Sequence, residues 1–133
     1  MEERGEIIEF ANENNVYIIP MVAPTSEERI KSILKQGRGF VYCVSINGVT
    51  GTRDKISTDL SSYMNLIKEY SHIPKAIGFG VSNAEMAKSF AKYAEGVIVG
   101  SAIIKRIAAA SSKEEAIKEA AAFVKELKEA LRD

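Results

Sequence analysis

The chain has 133 residues, 46% of them hydrophobic, which is enough for the core of one domain spanning residues 1–133. Its 18 basic and 18 acidic residues balance, without a run of five like charges, and this excludes nucleic acid and an anionic membrane surface as obvious partners. A single cysteine, Cys43, excludes an internal disulfide and cysteine-based zinc binding. With no signal peptide and no apolar stretch of 18 residues, the composition predicts a cytoplasmic protein.

Helical and strand patterns alternate strictly along the chain. Residues 2–14 have the apolar spacing of a helix, and amphipathic helices follow each strand, including a short one near 102–110 and a long last one. The predicted strands are residues 16–23, 40–45, 75–79 and 96–99. Because these runs are apolar on both faces, the order predicts a parallel sheet that helices cover.

Three local patterns make further expectations about these helices and their connections. Capping boxes of Thr25 with Glu28 and of Ser82 with Glu85 predict two helix starts. The irregular stretch 46–57 is long for a compact domain and is the candidate binding loop or lid. The last helix is expected to bury one stripe, made of Ile117, Ala121, Val124, Leu127 and Leu131.

Two small-residue turns, 78–82 and 100–102, follow the third and fourth predicted strands, and each leads into a helix. Glycine lets a ligand approach the backbone closely, and the first N–H groups of a helix have no internal partner. In a (β/α)8 barrel the usual phosphate site lies at the loops after strands seven and eight. The pair of turns therefore predicts a site for a phosphorylated small molecule, although the chain has only half the ~250 residues of such a barrel.

Four segments in order resemble the tryptophan synthase alpha chain family. They are residues 22–29 (VAPTSEER), 39–51 (GFVYCVSINGVTG), 78–82 (GFGVS) and 96–102 (GVIVGSA). The resemblance covers only strands five to eight of that family's barrel. It implies a parallel four-stranded (βα)4 half of a TIM barrel with an N-terminal helix.

The family cleaves indole-3-glycerol phosphate to indole and glyceraldehyde 3-phosphate, and the resemblance carries its site onto this sequence residue by residue. It implies phosphate contacts from Gly51, Gly80, Gly100 and Ser101. It places Tyr42, Phe79 and Val22 on the substrate's indole side and makes Thr50 a lid residue. The plainer alternatives are tight turns for the glycines, barrel core for Tyr42, Phe79 and Val22, and a loop hydroxyl for Thr50.

The family's acid and base carboxylates come from early strands that this sequence does not contain, so no catalytic residue, metal or cofactor is predicted here. The resemblance therefore implies a fragment or engineered half that is inactive alone, and it argues against a beta chain partner. One alternative is an active lyase when the missing half is supplied in trans. Another is a structural, self-associating scaffold without ligand function.

Two arrangements of the sheet are open to this sequence. Cutting a barrel leaves two strand edges and an inner face uncovered, which predicts self-association into a two-fold dimer that rebuilds the barrel. Alternatively, the sheet opens into a flavodoxin-like form in which residues 2–14 cover the former barrel interior.

Overall fold

The computed structural model describes residues 4–24, 27–35, 37–44, 53–78 and 80–132. The helices are α1 Arg4–Glu13, α2 Glu27–Leu34, α3 Arg53–Tyr70, α4 Ala84–Ala91, α5 Ser101–Ala109 and α6 Lys113–Ala130. The strands are β1 Met21–Val22, β2 Val41–Val44, β3 Lys75–Gly78 and β4 Gly96–Ile98.

The four strands form one parallel sheet in the order β1-β2-β3-β4. This confirms the α/β fold class with a parallel four-stranded sheet. Strands adjacent in sequence are adjacent in the sheet throughout, as in a barrel wall, whereas a flavodoxin-like sheet requires a reversal of strand order. The flavodoxin-like alternative is therefore wrong.

The core lies on one side of the sheet, between the strands and helices α2, α3, α4 and α6. Alternate strand residues point to this side, including Val22, Cys43 and Ile77, which share one row across the sheet and are each at most 1% exposed. Helices α2, α3, α4 and α6 contribute buried side chains to the same cluster: Ile30, Leu34, Tyr63, Met64, Ile67, Ala87, Phe90, Phe123 and Leu127.

No described helix packs across the opposite face of the sheet, on which Tyr42, Val44 and Ala76 are half-buried. Met21 begins a row with Tyr42 and Ala76 on this face, and its side chain is 60% exposed. Helix α1 does not close the face, because its apolar residues Ile7 and Phe10 are themselves 56% and 67% exposed. The expectation that residues 2–14 cover the sheet is therefore wrong, and we refer to this side as the open face.

Three sequence expectations differ from the structure in detail. The strand expected from residue 16 begins only at Met21, since the ladder starts where the Tyr42 N–H donates to the Pro20 carbonyl (2.9 Å). The cap of α4 is Asn83, whose side chain accepts from the Met86 N–H, rather than Ser82. Thr25, in the other predicted capping box, lies outside the described residues.

The buried stripe of α6 also differs from the expected one. Phe123 and Leu127 are buried, whereas Ile117 is 61% and Val124 46% exposed. The helix therefore has a second apolar side that is largely exposed in the described structure. Among the residues that the structure describes, no helix is both long enough and apolar enough to cross a membrane.

Candidate functional site

The two glycine turns meet at the carboxyl edge of the sheet. Strands β3 and β4 are paired in parallel with Gly78 opposite Ile98, and Gly80 and Gly100 each follow two residues later. The turns predicted to hold phosphate are thus neighbours on adjacent strands. This is the edge at which ligands bind in open and closed parallel sheets.

The glycines of the first turn are explained by the fold itself. Gly80 has φ +73°, a conformation that side chains rarely adopt. At Gly78 an added Cβ would lie 2.7 Å from the Cβ of Ile98 and 2.8 Å from its carbonyl oxygen. Glycine is therefore required at 78 by close packing of β3 on β4, and at 80 by the turn.

The second turn is different, because Gly100 is required by neither packing nor a positive φ. It precedes α5 with φ −125°, and a Cβ built there meets nothing within 4 Å. The first residue of the helix, Ser101, is exposed. No described atom therefore restricts the side of Gly100 on which a Cβ would lie.

Helix α5 also lacks a side-chain cap. Its first turn carries no acidic residue, and within the described residues it has no side-chain cap hydrogen bond. In contrast, Asn83 caps α4 (2.8 Å to Met86 N) and Ser112 caps α6 (3.1 Å to Glu115 N). The first backbone N–H groups of α5 and the positive end of its dipole therefore lie at the carboxyl edge of the sheet without a cap from the described side chains.

The structure brings Tyr42 to the open face, half-buried, but not Val22. Val22 is 1% exposed on the helix side, and its carbonyl accepts from the Tyr63 hydroxyl at 2.8 Å. Its side chain is thus part of the core. Gly51, Thr50 and Phe79, the remaining predicted site residues, lie outside the described residues.

The amino edge of the sheet carries different chemistry. A cleft of about 380 Å³ there is lined in part by Lys35, Arg38 and the exposed His72. It lies at the opposite end of the strands from the glycine turns. His72 is therefore not part of the carboxyl-edge site.

One ion pair at the amino edge was not anticipated from the sequence. Lys75 is 8% exposed, and its ammonium lies 3.0 Å from Glu95 Oε2, which also accepts from the Lys75 backbone N–H at 2.7 Å. Partial burial raises the pKa of Glu95, but these hydrogen bonds from Lys75 outweigh it and leave the pKa lowered. The only sequence signal is a lysine that opens an apolar strand.

Cys43 is fully buried, as its apolar neighbours predict, and burial raises the pKa of its thiol to about 12. It is therefore protonated and inert at neutral pH. In the part of the chain that the structure describes, no cluster of His, Cys, Asp and Glu side chains could hold a metal ion.

A sequential parallel sheet, with helices on one face and two glycine turns at the ends of its last strands, is the arrangement found in one part of a β/α barrel. The sequence model of one family, described as "Tryptophan synthase alpha chain", matches residues 1–132. The chain belongs to the tryptophan synthase alpha chain family.

The alpha chain of Thermoanaerobacter sp. (strain X514) is 53% identical over 131 residues, which are 98% of this chain and 50% of that protein. The alpha chain of Clostridium kluyveri (strain ATCC 8527) is 47% identical over the same length. The chain thus spans about half the length of the curated relatives it matches, and the match is to their C-terminal half.

Solved structures give the same result. A tryptophan synthase alpha subunit from Campylobacter jejuni superposes with a TM-score of 0.81 at 30% identity, over 90% of this chain and 48% of that one. A Pyrococcus furiosus chain, from a structure described as an α2β2 tryptophan synthase complex, has a TM-score of 0.78 at 35% identity, over 95% and 51%. These neighbours are TIM barrels, and this chain covers about half of them.

Proposed function

We propose that this chain binds a phosphorylated small molecule at the carboxyl edge of β3 and β4, as the phosphate side of a tryptophan synthase alpha site. The observation that carries the proposal is the uncapped start of α5 beside the Gly80 turn. Free N–H groups and a positive helix end favour a dianion, and the absence of acidic residues in the first turn of α5 avoids repulsion.

Gly100 supports a ligand over a simple turn. Packing and backbone conformation account for Gly78 and Gly80, but they leave the glycine at position 100 unexplained. At Gly100 an added Cβ would point into open space, so packing does not require glycine there. Close approach of a ligand to the backbone supplies the reason.

The proposed role is binding without catalysis. In the family that this chain resembles, the carboxylates acting as acid and base come from early strands, which the chain's match to the C-terminal half does not include. We therefore expect weak affinity, because part of the substrate's walls is absent, and no cleavage of indole-3-glycerol phosphate by this chain alone. The second candidate is lyase activity when the missing half is supplied in trans.

The proposal is tested by NMR titration of the isotope-labelled chain with glycerol 3-phosphate and, separately, with inorganic phosphate. We expect saturable chemical-shift changes at the amides of Gly80, Gly100 and Ser101. Shift changes produced by glycerol and by chloride at matched concentrations are subtracted. Shifts confined to the cationic cleft at Arg38 and His72 would contradict the proposed site. Absence of saturable shifts up to high millimolar ligand would contradict binding altogether.

The sequence argument against a beta chain partner has no support from the comparisons. The Pyrococcus furiosus neighbour is described in an α2β2 complex, and its matched region covers 95% of this chain. We therefore include a beta chain among the proposed partners. Co-elution of this chain with the beta chain of a relative on size exclusion tests it, and separate elution at tens of micromolar would contradict it.

A further inference from the structure

Helix α5 presents the proposed phosphate site, yet few of its side chains anchor it. None of its nine residues is buried, and in its first turn Ala102 and Ile103 are half-buried against the core. A phosphate that binds through backbone N–H groups requires these donors at about 2.7–3.2 Å. A small rotation of the helix would therefore change the affinity, so the contacts that orient α5 bear directly on the site.

The end of α5 that lies away from the site is joined to α6 by a short connection. Helix α5 ends at Ala109, and Ser112 already caps α6 by accepting from the Glu115 N–H at 3.1 Å. The Glu115 carboxylate in turn accepts from the Ser111 N–H at 2.7 Å. These two hydrogen bonds fix the direction in which the chain enters α6. They set where α5 ends, but not the angle between the two helices.

Arg106, in the last turn of α5, provides a second attachment to α6. Its guanidinium carbon lies 4.0 Å from the centroid of the Phe123 ring, which is a cation–π distance. Phe123 is 1% exposed, so the guanidinium forms part of the cover of a core residue. Arg106 Nη1 also lies 4.0 Å from Oε2 of Glu119, one turn before Phe123 on the same helix. Two side chains of α6 thus hold one guanidinium.

The position of Arg106 on α5 is one at which helical periodicity favours an apolar residue. Residues 102, 103 and 106 are three and four apart, so they share the side of the helix that is turned to the core. An aliphatic side chain there would cover Phe123 without fixing a direction. A planar guanidinium stacks on the ring and pairs with a carboxylate at the same time, which restricts its orientation.

We propose that Arg106 is a positioning residue for the phosphate site. By stacking on Phe123 and pairing with Glu119, it holds α5 at the angle that presents its first N–H groups at the carboxyl edge of the sheet. Arg106 does not touch the ligand, because it lies about 9 Å beyond Gly100 along the helix axis and its guanidinium contacts α6. This role rests on the proposed function, since it concerns the same site. Without the contact α5 samples other angles, and only the competent fraction binds.

The first test compares Arg106→Met with Lys105→Met by NMR titration with glycerol 3-phosphate and with inorganic phosphate. Methionine keeps apolar cover over Phe123 but removes the stacked charge. Lys105 is exposed one residue earlier, so its substitution removes the same charge and leaves the Arg106–Phe123 contact in place. We expect the Kd for both ligands to rise about threefold to fivefold in Arg106→Met. In Lys105→Met it should rise less than about twofold, from screened charge alone.

Two further measurements separate orientation from general stability. Residual dipolar couplings of the ligand-free chain report the direction of backbone N–H bonds, and in Arg106→Met we expect them to change at Ile103 and Ile104 but not in α6 or the sheet. Arg106→Lys should recover part of the affinity, because an ammonium over the ring keeps the attraction without the planar stacking. The Arg106 side chain is 41% exposed, so all these variants should fold, which urea unfolding checks.

Unchanged affinity in Arg106→Met would overturn the positioning role and leave the proposed function standing. A loss of affinity with unchanged couplings in α5 would also overturn it, as would an equal loss in Lys105→Met, because charge rather than orientation would then be responsible. If the unmodified chain binds neither ligand, the proposed function fails and the positioning role fails with it.

Discussion

At the scale of residues, three glycines near one sheet edge are there for three different reasons. Gly78 lies against the backbone of Ile98, Gly80 has a positive φ, and Gly100 has open space above its Cα. Only Gly100 has neither a close neighbour at its Cβ position nor a positive φ. Substitutions can therefore separate a glycine that the fold requires from one that we propose to contact a ligand.

Gly100→Ala should fold normally and bind poorly. Because its Cβ meets nothing within 4 Å, we expect the free energy of unfolding to change by less than about 0.5 kcal/mol, as at other open surface sites. Affinity for glycerol 3-phosphate should fall about tenfold or more, which is ~1.4 kcal/mol. Calorimetric titration and urea unfolding measure the two effects.

The control is Gly78→Ala, where the added Cβ would lie 2.8 Å from the Ile98 carbonyl oxygen. It should destabilise the fold by about 1–3 kcal/mol through overpacking. Unchanged affinity in Gly100→Ala would show that no ligand approaches that position.

The Lys75–Glu95 pair makes a second prediction at this scale. Glu95→Gln leaves the buried Lys75 ammonium without its counter-charge and should lower the free energy of unfolding by about 1–3 kcal/mol. This loss is smaller than that from breaking a fully buried pair, because Glu95 is partly exposed. Since the pKa of Glu95 is lowered from its usual 4.5, the stabilisation is present above that pH and is lost as the pH falls below it. The difference in free energy of unfolding between the unmodified chain and Glu95→Gln should therefore become smaller in acid.

Urea unfolding from pH 3 to pH 7 checks this dependence. Glu69→Gln, on the exposed surface of α3, is the matched control and should behave like the unmodified chain. The double variant Lys75→Met with Glu95→Gln should lose less stability than Glu95→Gln alone, because no buried charge is left unpaired. A gap that widens in acid would contradict the lowered pKa.

At the scale of elements, helix starts distinguish structure from candidate function. Helices α4 and α6 begin with side-chain caps, from Asn83 and Ser112, and carry glutamates in their first turns. Helix α5 has neither. A start that is left without a cap and without negative charge is suited to an external anion.

Ser101→Glu should separate the stability of α5 from anion binding. A carboxylate at the first helical position interacts favourably with the helix dipole, by about 0.3–1 kcal/mol. It would occupy the place proposed for phosphate, so affinity should fall at least about tenfold. Thermal unfolding measures the expected gain in stability, and NMR titration measures the expected loss of affinity.

Ser89→Glu is the matched control, since Ser89 is exposed on α4 away from the turns, and it should leave affinity unchanged. If Ser101→Glu bound glycerol 3-phosphate as tightly as the unmodified chain, the start of α5 would not be the phosphate site.

At the scale of the whole molecule, the chain corresponds to one half of its relatives. The proposal of phosphate binding without catalysis follows from that. The turns that we propose to hold phosphate lie in the C-terminal half that the chain matches. The resemblance noted from the sequence implies that the acid and the base belong to early strands, and our proposal of binding without catalysis depends on that implication. Each positioned acid or base is worth about 10²–10⁴-fold in rate. Without both, we expect release of indole from indole-3-glycerol phosphate to be at least about 10⁴-fold slower than in a complete alpha chain.

A coupled indole assay with the purified chain checks this expectation. The N-terminal half of the Thermoanaerobacter alpha chain, added in equimolar amount, should raise the rate if the halves assemble. Rapid release by this chain alone, at the ~1–10³ s⁻¹ of ordinary enzymes, would show that acidic residues of 46–59 or others supply the chemistry.

Much of this protein can be predicted from local patterns. Strand and helix order, the parallel class and the glycine turns follow from periodicity and turn chemistry, which act over a few residues. The four motifs also indicate the family before any contact is known. Strand length is less predictable: residues 16–20 are apolar like a strand, yet the ladder starts at Pro20 because pairing depends on where β2 begins.

What only the tertiary structure decided is which apolar side of each element is covered. The spacing in α6 is compatible with several faces, and the structure buries Phe123 while leaving Val124 half exposed. Likewise, Val22 and Tyr42 are both apolar strand residues, but register sends one to the core and the other to the open face. The sequence by itself determines which side chains need burial, because that need depends on the properties of each residue. Where they are buried depends on neighbours far along the chain, whose contacts no local pattern contains.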